Sequence, residues 1–256
     1  MLAILALAAL AAASCGGPYT PKKMNLATDK IAAADRLFDK GSFGSAAGEY
    51  KDFLATFAGD ERSDYAQYRL AESYRSEREY ALAEVEYRIL INDYGYSDWV
   101  DDAFFLEGVC AFRQTPRFER DQTKSYQALE RLNRFLQTFP SSPRLEEARA
   151  MIREIHEKLA HKDFTAAKLY FSKKHLDASL VYLNKIIDLY PETIWAARSG
   201  YYRASIKEFR LDLAGAIEDY RSVLASKDSI PEKADAEKRL RFLERKVEGT
   251  RNSDGG

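Results

Sequence analysis

Four segments of the chain share one outline: an apolar helix-like run, an aromatic residue, a chain breaker, a few polar residues and then alanine. They are FLATFAGDERSDYA (53–66), INDYGYSDWVDDA (91–103), FLQTFPSSPRLEEA (135–148) and IIDLYPETIWAARSGYY (186–202). An aromatic at the end of a helix seals the edge of a core, and Pro or Gly just beyond it stops the helix and redirects the chain. The recurrence therefore punctuates a repeating unit rather than marking a site. No strand-like alternation of useful length competes with it, which predicts an all-helical chain.

The helix after each turn carries alanine followed four residues later by a ring or leucine: Ala46 and Tyr50, Ala83 and Tyr87, Ala128 and Leu132, Ala178 and Tyr182, Ala216 and Tyr220. Four residues are about one helical turn, so each pair shares a face. Three residues ahead of the alanine stands Phe43, Tyr80 or Leu213, while Ser125 and His175 break that rule. The arrangement resembles the second helix of a tetratricopeptide (TPR) repeat, in which a small residue lets the paired helix approach. Spacings between the alanines are 37, 45, 50 and 38 residues, against about 34 for the ideal unit. The first long interval holds a proline-bearing polar insertion, RQTPRFERDQ (113–122), between the helices of the third repeat. The second holds residues 144–174, free of Pro and Gly, which reads as one helix of about 45 Å. The expected fold is an all-α, right-handed TPR solenoid of five helix-turn-helix repeats, ended by a helix over 231–246 whose charged face caps the stack.

Composition adds little and excludes some partners. The 256 residues are 46% apolar and 31% charged, with a net charge of -1 and pI near 6.4, so no global basic field invites nucleic acid. The two cysteines, Cys15 and Cys110, are not expected to pair, because the first lies in a processing context. Residues 1–14, MLAILALAALAAAS, are apolar or small but shorter than the roughly 20 residues of a membrane-spanning helix. With AASC and two glycines after it, the run resembles a bacterial lipobox, which implies lipidation of Cys15. No Lys or Arg precedes it, as an export signal normally has, and Ala12 stands where leucine is usual, so the true start codon is expected upstream. Gly16 follows the cysteine where aspartate marks inner-membrane retention, which implies the outer membrane. The alternative is an ordinary cleaved signal with an incidental cysteine.

Candidate chemistry is sparse. In HEKLAH the histidines His156 and His161 are five apart, about 140° around a helix, whereas a zinc helix needs them at i and i+4. The piece GSFGSAAG (41–48) lacks the Gly-Lys-Ser/Thr ending of a phosphate loop. Cys110 lies on an apolar helix and reads as an inert buried thiol. No cofactor, metal or catalytic group is expected, and a TPR-bearing zinc peptidase is the enzyme reading set aside.

The middle of the chain carries a more specific resemblance. DWVDDAFFLEGVCAF (98–112), the insertion running into RDQTKSYQALERLNRFLQTFPSSPRLEEA (120–148), the unbroken helix through LAHKDFTAAKLYFSKKHLDASLVYL (159–183) and NKIIDLYPET (184–193) together resemble the BamD family. That family is the lipoprotein component of the machinery that assembles outer-membrane β-barrels. The helix from 231 departs from its pattern, which ends with the fifth repeat. The resemblance implies a non-enzymatic scaffold, lipid-anchored at the periplasmic face of the outer membrane. C-terminal repeats would bind the POTRA domains of the barrel subunit, and N-terminal repeats would handle unfolded outer-membrane β-barrel clients. The alternative is a TPR lipoprotein that pilots a secretin or coordinates envelope constriction with wall synthesis. The expected organisation is a signal peptide over 1–14, a lipidated tether over 15–26, repeats one to three over 27–140, repeats four and five over 141–226, and a C-terminal helix and tail over 227–256.

In a TPR array the first helices line the concave side. At three-four-three spacing they offer Thr28, Ile31, Asp35 and Phe38 from repeat one, Tyr65, Tyr68, Glu72 and Arg75 from repeat two, and Asp102, Phe105, Val109 and Phe112 from repeat three. Rings interleaved with cations suit the C-terminal segment of an unfolded barrel protein, with Arg75 or Arg113 pairing its terminal carboxylate. The candidate groove is Phe38, Tyr65, Tyr68, Arg75, Phe105, Phe112 and Arg113. The competing reading is that these rings fill gaps between repeats.

Overall fold

The computed structural model describes residues 21–253. Ten helices form five antiparallel pairs: α1 (Pro21–Asp39) with α2 (Phe43–Thr56), α3 (Ser63–Ser76) with α4 (Tyr80–Asp93), α5 (Val100–Arg113) with α6 (Thr123–Thr138), α7 (Leu145–Ser172) with α8 (Leu176–Leu189), and α9 (Ile194–Phe209) with α10 (Leu213–Ala225). A last helix, α11 (Lys233–Ser253), packs on α10. No strand occurs among the described residues. This is the expected TPR solenoid. Helix α1 begins at Pro21, inside the segment read as tether, and α11 runs past 246; Cys15 and the expected signal peptide lie outside the described residues.

The recurring aromatic is a helix C-cap. Phe57, Tyr94, Phe139 and Tyr190 end α2, α4, α6 and α8, and the carbonyl of each accepts from the backbone N–H three residues on, at Asp60, Ser97, Ser142 and Thr193. Backbone groups freed at the helix end are thereby satisfied while the ring covers the joint. After Tyr190, Pro191 blocks a further turn, and Thr193 caps α9 by accepting from the Ala196 N–H.

Within four repeats the turn between the paired helices is also fixed. Gly41, Arg78, Lys174 and Leu211 hold the left-handed conformation, with φ of 76, 63, 62 and 64°. The next residue in each case donates to the carbonyl five positions back: Ser42 to Leu37, Glu79 to Tyr74, His175 to Tyr170 and Asp212 to Lys207. That is the Schellman closure of a helix, and glycine fits it without a Cβ penalty. Repeat three replaces the turn with the insertion, where Gln122 Nε2 donates to the carbonyls of Arg117, Phe118 and Arg120.

Five residues after each left-handed turn comes the small buried residue: Ala46, Ala83, Ser179 and Ala216. This corrects the alignment of repeat four by one position. The buried pair there is Ser179 and Leu183, while Ala178 and Tyr182 are partly exposed. Serine is tolerated because its Oγ donates to the Ala167 carbonyl across the helix pair at 3.0 Å, leaving no stranded hydroxyl. With the shift, Leu176 takes the place of Phe43, Tyr80 and Leu213, and His175 no longer breaks the rule. Where the ring is tyrosine, its hydroxyl reaches a carboxylate on the partner helix: Tyr50 to Asp35, Tyr87 to Glu72 and Tyr220 to Glu208.

Repeats two and three are joined by charge as well as by apolar packing. Glu107, only 1% exposed, accepts from Arg88 Nε at 3.0 Å and from Arg134. Arg88 and Arg131 both reach Glu84, at 2.8 and 2.7 Å, the latter as a charge contact without hydrogen-bond alignment. A carboxylate this deep persists only with such partners. Helix α7 runs unbroken for 28 residues, about 42 Å, and touches α5 as well as α8 and α9. Its face at Ile155, Leu159, Ala160, Phe164 and Ala167 is buried. The insertion lies against it, with Lys158 Nζ donating to Thr115 and Lys162 Nζ to the Arg120 carbonyl.

Candidate functional site

The N-terminal candidate face is built around α3. Residues 65, 68, 69, 72 and 75 follow helical spacing and share one side. The Tyr68 ring stacks on Trp99 at 4.6 Å and 17°, and Tyr65 lies 6.1 Å from the same indole. Trp99 stands in the linker just before α5, so a residue between repeats completes a platform that α3 begins. Burial pushes both phenols up to about 12, aided for Tyr65 by its bond to Asp35 and for Tyr68 by the Glu72 charge. Both therefore stay neutral near pH 7.

Toward α1, Asp35 Oδ1 accepts from Tyr50 at 2.5 Å and Tyr65 at 2.8 Å. Arg69 donates to the Tyr50 oxygen at 3.1 Å, and its guanidinium lies 3.7 Å from the centre of the Phe38 ring. Phe38 is half-buried and meets Phe43 edge-on. Toward α5, Arg75 clasps Glu72 through two hydrogen bonds, at 2.8 and 2.6 Å, and these raise its pKa further. Its charge is committed to Glu72, which corrects the expectation of a cation awaiting a carboxylate. Arg113 is exposed at the end of α5 and forms no ion pair among the described residues.

Phe105 is the clearest correction: it is 2% exposed and belongs to the core. Its ring packs 5.4 Å from Phe135, and the Arg144 guanidinium, paired with Asp102 at 2.8 Å, lies 4.9 Å from its centre. Arg144, at the start of α7, thus covers this part of α5. Phe112 is half-buried with Lys158 Nζ 5.2 Å from its ring centre. Trp99 and Arg69 were not among the groove residues read from sequence. Arg69 was legible as the i+4 neighbour of Tyr65.

The two histidines of HEKLAH part company. His156 bonds Glu192, while His161 lies between the rings of Phe118, at 3.6 Å, and Trp195, at 4.0 Å. Burial lowers the His161 pKa, with Arg198 pushing the same way and Glu119 opposing. Among the described residues no cluster of His, Cys, Asp or Glu is arranged to hold a metal ion, and no helix is long and apolar enough to cross a membrane.

A solenoid of five antiparallel helix pairs, with rings and paired charges along its first helices, defines a protein of the TPR class. Residues 27–222 match the YfiO family, described as outer membrane lipoprotein, and the chain belongs to that family. It is 23% identical over 181 residues to the outer membrane protein assembly factor BamD of Caulobacter vibrioides, a match covering 68% of this chain and 59% of that protein. The chain thus spans somewhat under two thirds of the relative's length. In architecture it is similar to the TPR2AB domain of yeast Sti1 in its pHSP90 complex, with a TM-score of 0.50, 16% identity, and coverage of 88% of this chain and 85% of that one.

Proposed function

We propose that the chain is a non-enzymatic scaffold of a β-barrel assembly machinery, anchored by acylation of Cys15 at the periplasmic face of the outer membrane. The observation that carries this is the family match over residues 27–222, which takes in the α3 platform, repeat four and repeat five as far as Ser222 of α10. The likeness to an assembly factor over 181 residues supports the same reading. The C-terminal repeats bind the POTRA domains of the barrel subunit. The N-terminal face receives unfolded barrel clients: Tyr65, Tyr68 and Trp99 hold alternate side chains of an extended C-terminal segment, Phe38 and Phe112 extend the apolar track, and Arg113 meets the terminal carboxylate.

Crosslinked pulldown from outer membranes tests the partners, with a POTRA-bearing barrel protein expected and a secretin overturning the proposal. The client face is tested by anisotropy of a labelled barrel C-terminal peptide on Tyr68→Ala combined with Arg113→Ala. Affinity is expected to fall about tenfold or more, as for loss of a ring contact and a charge-assisted bond together. Unchanged affinity in a folded double variant removes this face from client binding.

A further inference from the structure

The other end of the solenoid carries a second surface. Helix α9 passes between the end of α7 and α11, and its open side floors a cleft of about 580 Å³ walled by Phe171, Tyr202 and Arg239. A second hollow of about 330 Å³ shares Glu208 and Arg239 with the first and continues along α11. Three large apolar side chains stand unburied in this recess: Phe209 at 74%, Leu211 at 75% and Phe242 at 54% exposure. Leu211 occupies the left-handed turn where repeat one has Gly41, so an isobutyl group is held outward at a position that favours glycine. Apolar groups gathered in one concave recess, rather than scattered singly, mark a binding surface.

The recess carries a net positive charge. Lys174, Lys238, Arg239 and Arg245 line it against Glu208 and Asp235, four positive against two negative, an excess of +2. Arg239 engages both carboxylates, at 3.1 and 2.7 Å. Lys174, Lys238 and Arg245 form no salt bridge among the described residues. The two hollows meet at the Glu208–Arg239 pair; Lys174 lies with Phe209 and Leu211 in the first, and Lys238 and Arg245 lie with Phe242 in the second. Helix α11, which supplies one wall, lies beyond the residues 27–222 that match the family.

We propose that this cleft docks an acidic segment of a partner protein that carries bulky apolar residues beside its carboxylates. The apolar residues seat against Phe209, Leu211 and Phe242, and the carboxylates meet Lys174 in the first hollow and Lys238 and Arg245 in the second. Two joined hollows, each holding a cation beside an exposed apolar side chain, fit an extended chain better than a flat lipid surface.

The test is anisotropy of the purified full chain with a fluorescein-labelled peptide alternating Asp or Glu with Phe or Leu, and with a Lys-for-acid counterpart as control. The acidic peptide is expected to bind, the basic one not, and added salt to weaken binding. Lys174→Glu with Arg245→Glu is expected to weaken it about tenfold or more. Leu211→Gly removes an anchor while relieving the turn, so a loss of affinity there is not a loss of folding. Equal affinity in both variants, or equal binding of the basic peptide, overturns the proposal. So does binding to phosphatidylglycerol vesicles that the charge reversals abolish when no peptide binds. The measurement involves no outer-membrane partner, so its outcome stands apart from that of the assembly role.

Discussion

Truncating Leu183 should cost far more stability than truncating its neighbour Tyr182, although the tyrosine is the larger residue and the one that matches Tyr50, Tyr87 and Tyr220 by type. Leu183 is 1% exposed within the central core cluster, and emptying such a site by Leu→Ala removes about 2–5 kcal/mol. Tyr182 is half-buried and its main specific contact is a stack on Tyr170, 5.7 Å between centres. A ring pair contributes about 0.5–1.5 kcal/mol beyond area, and alanine returns about 0.5 kcal/mol of helix propensity. Tyr182→Ala should therefore cost about 1 kcal/mol and Leu183→Ala about 3 kcal/mol. Urea unfolding by far-UV circular dichroism measures the difference, and amide exchange across α7 and α8 shows whether the loss is local, as nearest-neighbour coupling in a repeat array requires. If Tyr182→Ala proves as costly as Leu183→Ala, the left-handed turn is the wrong ruler for repeat four.

Three other outcomes follow from single positions. A Cβ added at Gly108 meets Leu132 Cδ2 at 2.7 Å and Cγ at 3.3 Å, and Leu132 is fully buried, so crowding of about 1–3 kcal/mol should outweigh the propensity gained; a raised melting temperature for Gly108→Ala refutes this. Arg78 is exposed in a left-handed turn, and Arg78→Gly should stabilise by about 0.5–1 kcal/mol once the added freedom of the unfolded chain is deducted, read as a shifted urea midpoint. Burial pushes the Cys110 thiol up to about 12. Maleimide at pH 8 should therefore spare it in the native protein and modify it in guanidinium, as read by mass spectrometry of its peptide. Because the folded pKa is the higher one, the neutral thiol's contribution is complete below about 8.5 and declines as pH rises beyond it; Cys110→Ala should flatten that alkaline loss.

What could be read in advance depended on whether one residue type had one physical use. The aromatic C-caps were legible because a ring followed within two residues by Pro or Gly has little other role at a helix end, and the insertion because Pro116 sits in a polar run. Repeat four misled by one residue because Ala178 is small and Ser179 polar, and only the bond from Ser179 Oγ to the Ala167 carbonyl makes serine the core residue. A better ruler existed in the left-handed turns, but of Gly41, Arg78, Lys174 and Leu211 only the glycine announces its conformation in sequence. Phe105 and Arg75 failed for a different reason: each lies on the expected face, but a non-local partner decides its exposure or its charge. Arg144, reached only after the chain returns through α6, covers Phe105, and Glu72 holds Arg75 while Tyr87 from the next helix bonds the same carboxylate. Trp99 was hidden because it belongs to no helical face; it docks on Tyr68 from the joint between repeats. The candidate client face is thus made partly of linker, and its geometry depends on the angle between repeats two and three, which the Glu84 and Glu107 charge network fixes from the other side of α5.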